Sequence, residues 1–417
     1  MNKMTIAASL FFLIPLLLAA GPAGWHADPA IVASLTKDRP DVVYDESKVP
    51  PYVLPDVMLA GDGSRITTID QWSKRRTELL ELFRSQMYGR VPDAPVDVKY
   101  EVLSEDPHAL NGAATLRRVA IHVACQGREH SFTFALYLPN GVKKPAPVLL
   151  LIDNRGHSTT RPARPDLNGF WPVEEIIGRG FGTASFYTSD VAPDNAQHFR
   201  EGVIRVFEGD RATRPADAWG AIGAWAWGAS RVMDYLANDP RVDPGHVAII
   251  GHSRGGKTAL WAAAQDDRFA AAYANASGCG GSSIARRKFG ETVARINQHF
   301  PYWFCENYKR YNDRENDLPF DQHELVALIA PRPVYFAAMT NDLWADPHGS
   351  FLTLSAASPV YALWGESPFP ADPMPPVGEQ LIAGNRGWHM HEGKHDLILF
   401  DWQKFMDFTN QAWKLRH

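Results

Sequence analysis

Residues 246–260 read His-Val-Ala-Ile-Ile-Gly-His-Ser-Arg-Gly-Gly-Lys-Thr-Ala-Leu. The apolar run that ends at residue 250 predicts a buried strand, and the alanine-rich stretch from Lys257 to Gln265 predicts a helix. Between them, residues 251–255 fit the pattern G-x-S-x-G, whose glycines leave room for a sharp strand-to-helix turn. Such a turn raises the serine above the sheet edge, where a base can reach it. The stretch therefore predicts that Ser253 is a nucleophile.

The segments around this motif alternate between strand-like and helix-like patterns. Predicted strands cover 114–123, 132–137, 147–153, 182–187, 246–250, 269–275 and 333–339, and predicted helices cover 69–88, 216–238, 257–265 and about 401–415. Strands that alternate with helices indicate an α/β fold with a mostly parallel central sheet flanked by helices, a three-layer sandwich.

After its first residues, the chain divides into two predicted parts. Residues 24–110 read as an N-terminal wrap that packs on the catalytic domain, and residues 111–417 read as that domain. The polar, irregular stretch 281–330 reads as an insertion above the carboxyl ends of the strands. Because ligands bind at that edge of such sheets, the insertion is placed to line a site.

The composition is that of an ordinary globular protein. Apolar residues make up 45% and charged residues 21% of 417 residues, which excludes a generally disordered chain. There are 42 lysines and arginines against 47 aspartates and glutamates, a net charge of −5. No basic stripe is visible, so we expect no nucleic-acid partner, and we expect a monomer.

The first residues predict an export signal. Lys3 precedes an apolar run from Ala7 to Ala20, and small residues that suit cleavage after Ala20 or Ala23 follow. The run is too short for a stable membrane span. We therefore expect a signal peptide over residues 1–20, a periplasmic or secreted mature protein, and no membrane contact after its removal; a retained anchor is the alternative.

Three cysteines, Cys125, Cys279 and Cys305, are too few for a disulfide framework. Cys279 and Cys305 flank the insertion and could pair in an oxidising compartment. The sequence leaves open whether they do.

A serine hydroxyl needs a base, and candidates for its partners follow in the order serine, acid, histidine that is typical of α/β-hydrolases. Asp342 follows the strand at 333–339 and is the favoured acid, with Asp346 as competitor. His395, between a glycine and an aspartate ahead of the last helix, is the favoured histidine over His389 and His391. The three residues form a predicted Ser-His-Asp triad.

The same histidines allow a different interpretation. His389, His391 and His395 have a spacing found among metal ligands, with Glu392 or Asp396 as further oxygen ligands. A metallohydrolase would leave the serine motif unexplained, and we therefore expect neither a metal nor another cofactor.

Several stretches resemble the glucuronoyl esterases of carbohydrate esterase family 15. Their nucleophile motif, G-C/H-S-R-x-G-K, is matched at residues 251–257. Further pieces that match bacterial members are Tyr44-Asp-Glu-Ser-Lys-Val-Pro-Pro-Tyr, Gln86-Met-Tyr-Gly-Arg-Val-Pro, Ser277-Gly-Cys-Gly-Gly, Phe289-Gly-Glu-Thr-Val, Trp303-Phe-Cys-Glu-Asn, Asn341-Asp-Leu-Trp-Ala-Asp-Pro and Gly393-Lys-His-Asp-Leu. The resemblance extends over most of the chain after the signal.

The resemblance implies a metal-free serine esterase of the α/β-hydrolase fold. Its substrates would be esters of 4-O-methyl-glucuronic acid in glucuronoxylan, including those to lignin alcohols. Arg254 is implied as the residue that stabilises the oxyanion, and Lys257, Glu291 and Trp303 are implied as sugar contacts. One departure concerns the acid: many members have a catalytic glutamate where this chain has Ala276. The chain would therefore rely on Asp342.

Three functions remain open at this point. The first is a secreted glucuronoyl esterase. The second is an acetyl-xylan or other carbohydrate deacetylase, which would share the triad, and which only Lys257, Glu291 and Trp303 argue against. The third, suggested by Ala276, is a catalytically weak protein that binds carbohydrate.

Overall fold

A computed structural model describes residues 24–156 and 169–415 of the chain. The predicted signal peptide lies outside these residues. Within them, no helix is both long enough and apolar enough to cross a bilayer.

The core of the described part of the chain is one sheet of ten strands. The strands are β1 (Asp97–Ala109), β2 (Ala114–Cys125), β3 (Arg128–Pro139), β4 (Ala146–Asp153), β5 (Gly182–Tyr187), β6 (Val242–His252), β7 (Ala271–Asn275), β8 (Val334–Met339), β9 (Gln380–Ala383) and β10 (Arg386–His391). Their spatial order is β1-β2-β3-β5-β4-β6-β7-β8-β10-β9. The six strands from β5 to β10 in that order run parallel, and antiparallel strands complete both edges.

Twelve α-helices surround the sheet. They are α1 (Pro29–Asp38), α2 (Ile69–Phe83), α3 (Val173–Gly178), α4 (Thr188–Val191), α5 (Val203–Glu208), α6 (Ala221–Leu236), α7 (Arg254–Gln265), α8 (Val293–His299), α9 (Gln322–Ala327), α10 (Pro347–Ala356), α11 (Ser358–Tyr361) and α12 (Leu399–Trp413), all within the described residues. Helices α6 and α7 pack on one face of the sheet, and α3 and α12 pack on the other.

The buried strand β4 shows why the sequence gives this layering. Val148, Leu150 and Ile152 face the layer that contains α6 and α7, whereas Leu149 and Leu151 face the layer that contains α3 and α12. A strand covered on both faces needs apolar residues at successive positions, which is the pattern read from the sequence. The predicted three-layer α/β-hydrolase fold is confirmed.

Some predicted elements differ from those observed. Three strands, β1, β9 and β10, were not predicted, and β1 extends the sheet into the stretch read as a wrap. The helix predicted from residue 216 begins at Ala221, after Gly220 as its N-cap residue. Before it, the buried Trp219 donates its indole N–H to Glu208 at 3.0 Å. Gly220 itself has an extended backbone, with φ −85° and ψ −177°, so the helix starts after it.

The insertion at 281–330 is less irregular than its composition suggests. It contains α8, α9 and short 3₁₀ turns, and most of its side chains are buried. Its backbone meets the start of α6, where Ala221 N–H donates to the Tyr302 carbonyl at 2.9 Å. All three cysteines are buried and free, so Cys279 and Cys305 do not pair in this structure.

Candidate active site

The serine turn has strained backbone geometry. Ser253 has φ 56° and ψ −123° between β6 and α7, in a region that few non-glycine residues adopt. A Cβ atom at Gly251 would lie 2.0 Å from the Gly255 carbonyl oxygen, and one at Gly255 would lie 2.9 Å from the Ile152 carbonyl oxygen. Both glycines are therefore required by close backbone approach.

The first turn of α7 provides donors beside the serine. Arg254 is the first residue of this helix. Its N–H group has no partner within the helix, because first-turn donors lack a preceding carbonyl. Together with the positive end of the helix dipole, this group favours a negative oxygen near Ser253.

The candidate base and acid come from neighbouring strands. Met339 and His391, which end β8 and β10, are paired, and the loops that follow carry Asp342 and His395. His395 Nδ1 lies 2.6 Å from an Asp342 carboxylate oxygen. Asp342 is 7% exposed, whereas His395 is partly exposed to the cleft. The arrangement fixes Nε2 as the nitrogen available to a reacting group.

His252 places the His395 ring beside the serine. The two imidazole rings are 4.4 Å apart between centroids, and His252 immediately precedes Ser253. No hydrogen bond joins the Ser253 hydroxyl to His395 within the part of the chain that the structure describes. In enzymes without substrate this bond is often long and closes only in the complex.

His252 itself is held neutral. Its Nδ1 lies 2.6 Å from the Asn275 side-chain oxygen, which requires a proton on that nitrogen. Burial, followed by the nearby His395, lowers the pKa of His252 well below its ordinary value of 6.5. Because His252 is neutral, it does not repel a positive charge on the His395 ring.

The shift in His252 predicts an acid-dependent loss of stability. As pH falls below 6.5, the unfolded chain binds a proton at this residue that the folded chain does not bind, so folding becomes less favourable. Between pH 7.5 and 5 the free energy of unfolding should fall by on the order of 1 to 2 kcal/mol more in the wild type than in His252→Cys. Denaturant unfolding of both proteins at the two pH values measures this difference. Parallel pH profiles would contradict it.

The Arg254 side chain is held by the carboxylate of Asp194. Its guanidinium forms an ion pair with Asp194, which also accepts the Tyr302 hydroxyl at 2.7 Å and the Trp303 indole N–H at 2.8 Å. The guanidinium lies 4.9 Å from the centre of the Trp303 ring. Trp303 is 2% exposed and stacks at 3.7 Å on Phe300. The structure thus places Trp303 behind Phe300, where it supports Arg254.

Lys257 and Glu291 form a second charged group next to the triad. Lys257 is buried on the first turns of α7, and its ammonium group donates to the Ser277 carbonyl. Burial lowers the pKa of Lys257, and Glu291 opposes that effect. Burial also raises the pKa of the half-buried Glu291, and Lys257 is the main group that opposes it. Glu291 is partly accessible to a ligand, whereas Lys257 is 4% exposed.

A cavity of about 680 Å³ opens beside Asp342. Its lining includes Glu291, His299, Phe300, Asn341, Leu343 and Trp344. Trp344 is half-buried, two residues after Asp342, and its carbonyl accepts the Glu291 N–H at 3.0 Å. Sequence reasoning missed Trp344 as a cleft residue. Its position directly after a predicted strand-end acid was the available signal.

Asp346, the competing candidate acid, forms an ion pair and caps a helix. It is buried, lies 2.9 Å from the Arg287 guanidinium, and accepts the Gly349 N–H at 2.8 Å as the N-cap of α10. Among the described residues, Asp346 forms no hydrogen bond or ion pair with His395, which contacts Asp342 instead. Among the two candidate acids, only Asp342 is positioned to orient the histidine.

The other two histidines of the alternative metal-site interpretation contact a different carboxylate. His389 Nε2 and His391 Nδ1 lie 2.7 and 2.8 Å from the same oxygen of Asp401, which belongs to α12. Tyr335 adds a contact of 2.9 Å to the other nitrogen of His389. These distances describe a buried hydrogen-bonded network. It does not include His395, so the structure does not bring the three histidines together.

Ala276 occupies a distinctive backbone position after β7. It has φ 45°, and its N–H donates to the Ala337 carbonyl at 2.8 Å. Its methyl group offers no charge to an imidazole. The carboxylate that contacts His395 belongs instead to Asp342, on the loop after β8.

Comparison with known proteins gives consistent matches. The chain fits the family model described as glucuronyl esterase, fungi, over residues 121–365. Carbohydrate esterase MZ0003, from an unknown prokaryotic organism, is 38% identical over 416 residues, which cover 93% of this chain and 94% of that protein. The 4-O-methyl-glucuronoyl methylesterase of Schizophyllum commune is 28% identical and covers 75% of this chain and 74% of its own length.

Solved structures agree with these matches. A glucuronoyl esterase from Solibacter usitatus has a TM-score of 0.81 at 38% identity, covering 88% of this chain and all of that one. A family 15 glucuronoyl esterase from Teredinibacter turnerae has a TM-score of 0.78 at 30% identity, covering 90% of this chain and 92% of that one. The likeness extends over most of the length of both chains.

Proposed function

The chain belongs to carbohydrate esterase family 15, the glucuronoyl esterases, and on that premise we propose that it hydrolyses esters of 4-O-methyl-glucuronic acid through Ser253, His395 and Asp342. The observation that carries the proposal is the 2.6 Å contact of His395 with Asp342, next to the strained serine turn. It supplies an oriented base despite the alanine at residue 276. This contact argues against the alternative of a protein that only binds carbohydrate, because that alternative rested on the alanine at residue 276.

The proposed reaction proceeds in two halves. His395 Nε2 takes the Ser253 proton as the serine oxygen attacks the ester carbonyl, and a tetrahedral oxyanion forms. The intermediate collapses when His395 returns the proton to the departing alcohol oxygen, which leaves an acyl-enzyme. Water, deprotonated by the same histidine, then attacks the acyl group, and glucuronic acid leaves with Ser253 restored.

Arg254 favours the transition state over the bound substrate. The ester carbonyl is neutral, whereas the tetrahedral intermediate carries a full negative charge on that oxygen. The Arg254 N–H and guanidinium interact more strongly with the charged oxygen, so their contribution lowers the barrier. Asp194 keeps the guanidinium in place and partly offsets its charge.

The sugar ring would occupy the cavity that Glu291, Phe300 and Trp344 line, next to the loop that carries Asp342. Lys257 donates hydrogen bonds and Glu291 accepts them, a combination that suits the paired hydroxyls of a pyranose. Trp344 and Phe300 supply apolar surface for the ring. We propose that glucuronoxylan, including its ester links to lignin alcohols, is the natural substrate, acted on by an exported monomer.

Two model esters test this proposal. We expect release of acid from benzyl glucuronate with kcat/KM at least about 100-fold above that for 4-nitrophenyl acetate, because only the first ester engages the sugar contacts. Preference for acetate would instead support a carbohydrate deacetylase. Turnover of neither ester would refute the proposed chemistry. Insensitivity of the rate to EDTA is the matched control for a metal-free reaction.

A further inference from the structure

The N-terminal segment, residues 24–52, forms one wall of the cavity. Asp38, the last residue of α1, lines the cavity together with Arg39 and Tyr44, opposite Glu291 and Trp344. This wall is separate from the strand-end loops that carry the triad. Its side chains can therefore select substrates without contacting the reacting atoms.

The wall is firmly attached to the stretch that carries Glu291. Gly290 N–H donates to the Val43 carbonyl at 2.9 Å, and Arg295 forms an ion pair with Asp41. Tyr44 is buried in a hydrophobic cluster with Phe289. These contacts on both sides of Glu291 make the segment a fixed part of the cleft.

Arg39 lines the cavity with hydrogen-bond donors, one of which is shared with the Tyr44 hydroxyl. Its guanidinium lies 4.5 Å from the centre of the Trp344 ring, and the residue is exposed. Within the described residues, no carboxylate lies within ion-pair distance of Arg39. The neighbouring Asp38 is also exposed and offers acceptors. A flat cation, a carboxylate and an indole together suit the hydroxyls and the apolar face of a neutral sugar.

The proposed reaction assigns two parts of the substrate to the triad, the ester group and the departing alcohol. The reacting ester must lie at Ser253 and Arg254, and the departing alcohol must lie within reach of His395 Nε2. The group attached to the anomeric carbon leaves the sugar ring at another point. We propose that Arg39 and Asp38 form a subsite for that group, the neutral pentose main chain of the polysaccharide. The inference rests on the proposed function, which it deepens by adding a contact beyond the esterified sugar.

Two substrates with the same ester separate this subsite from the chemistry. One is methyl 4-O-methyl-glucuronate, and the other is the same methyl ester carried on xylotriose. The measured quantity is the ratio of their kcat/KM values, oligosaccharide over monosaccharide. Arg39→Ala should lower this ratio about five- to tenfold, mainly through KM for the oligosaccharide, as expected for one lost charged hydrogen-bonding contact. Lys37→Ala, in the last turn of α1 just before Asp38 but outside the cavity, should leave the ratio unchanged.

A second variant tests the subsite while keeping the contact between Arg39 and Trp344, which Arg39→Ala also removes. Asp38→Ala does not remove that stacking contact, and it should lower the ratio in the same direction by about threefold. Unchanged ratios in both variants, or a wild-type enzyme that does not prefer the oligosaccharide, would overturn the subsite. Failure of the wild type on both esters would refute the proposed function instead.

Discussion

Replacement of Ser253 by alanine should lower kcat on benzyl glucuronate by about 10⁴- to 10⁶-fold, the loss typical of removing the nucleophile from a serine triad. The side chain that is lost supplies the only oxygen that the proposed mechanism acylates. The residual rate should come from the Arg254 oxyanion contacts and from substrate binding. Steady-state assay with enzyme at high concentration measures the remaining turnover.

The variant should remain folded, because alanine and serine meet the same backbone constraint at φ 56°. Thermal unfolding should therefore agree within a few degrees between the two proteins. Covalent labelling by an alkyl phosphonate provides an independent check: the wild type should gain one label on Ser253, and the variant none. Turnover within tenfold of wild type in a folded variant would eliminate Ser253 as the nucleophile.

Local sequence was sufficient to predict the serine turn and the layering. A side chain at residue 251 or 255 would collide with atoms of the turn or of the adjacent strand β4. The two glycines of the short motif therefore indicate this geometry. The apolar run of β4 records its burial on both faces. Both patterns can be recognised in a short stretch of sequence, although the β4 backbone that excludes a side chain at Gly255 lies far earlier in the chain.

The strand β10 shows where local pattern is insufficient. His389 and His391 read as polar loop residues, yet both are buried on the face that packs against α12. Their hydrogen-bond partner, Asp401, lies ten or more residues later. A strand whose polar side chains are satisfied by a distant carboxylate has no local signature of burial.

The two tryptophans of the site illustrate the same limit. Trp303 matches a sugar-contacting residue by resemblance, but its indole N–H is directed to Asp194, 109 residues earlier in the chain. Trp344 reaches the cavity because it follows Asp342 on the loop after β8. Which aromatic ring faces a ligand depends on these partners, and neither partner is evident from composition or spacing.

The choice between the two aspartates gives the second large expected effect. Asp342→Asn should lower kcat by about 10²- to 10⁴-fold with little change in the free energy of unfolding. An asparagine can turn its NH₂ group toward His395 Nδ1, which leaves the proton on Nε2. The imidazole then presents a proton to Ser253 where the mechanism needs an acceptor, although the side-chain volume is unchanged.

Asp346→Asn is the matched control, four residues away on the same loop. It leaves Arg287 with only Glu46 as a carboxylate partner and removes one charge from a buried ion pair, so it should lower the free energy of unfolding by about 2–4 kcal/mol. The folded fraction should keep kcat within about tenfold of wild type, because Asp342 still orients His395. The opposite result, with chemistry lost in Asp346→Asn and retained in Asp342→Asn, would assign the acid to Asp346. Equal, small losses in kcat for both would mean that His395 is oriented by another group.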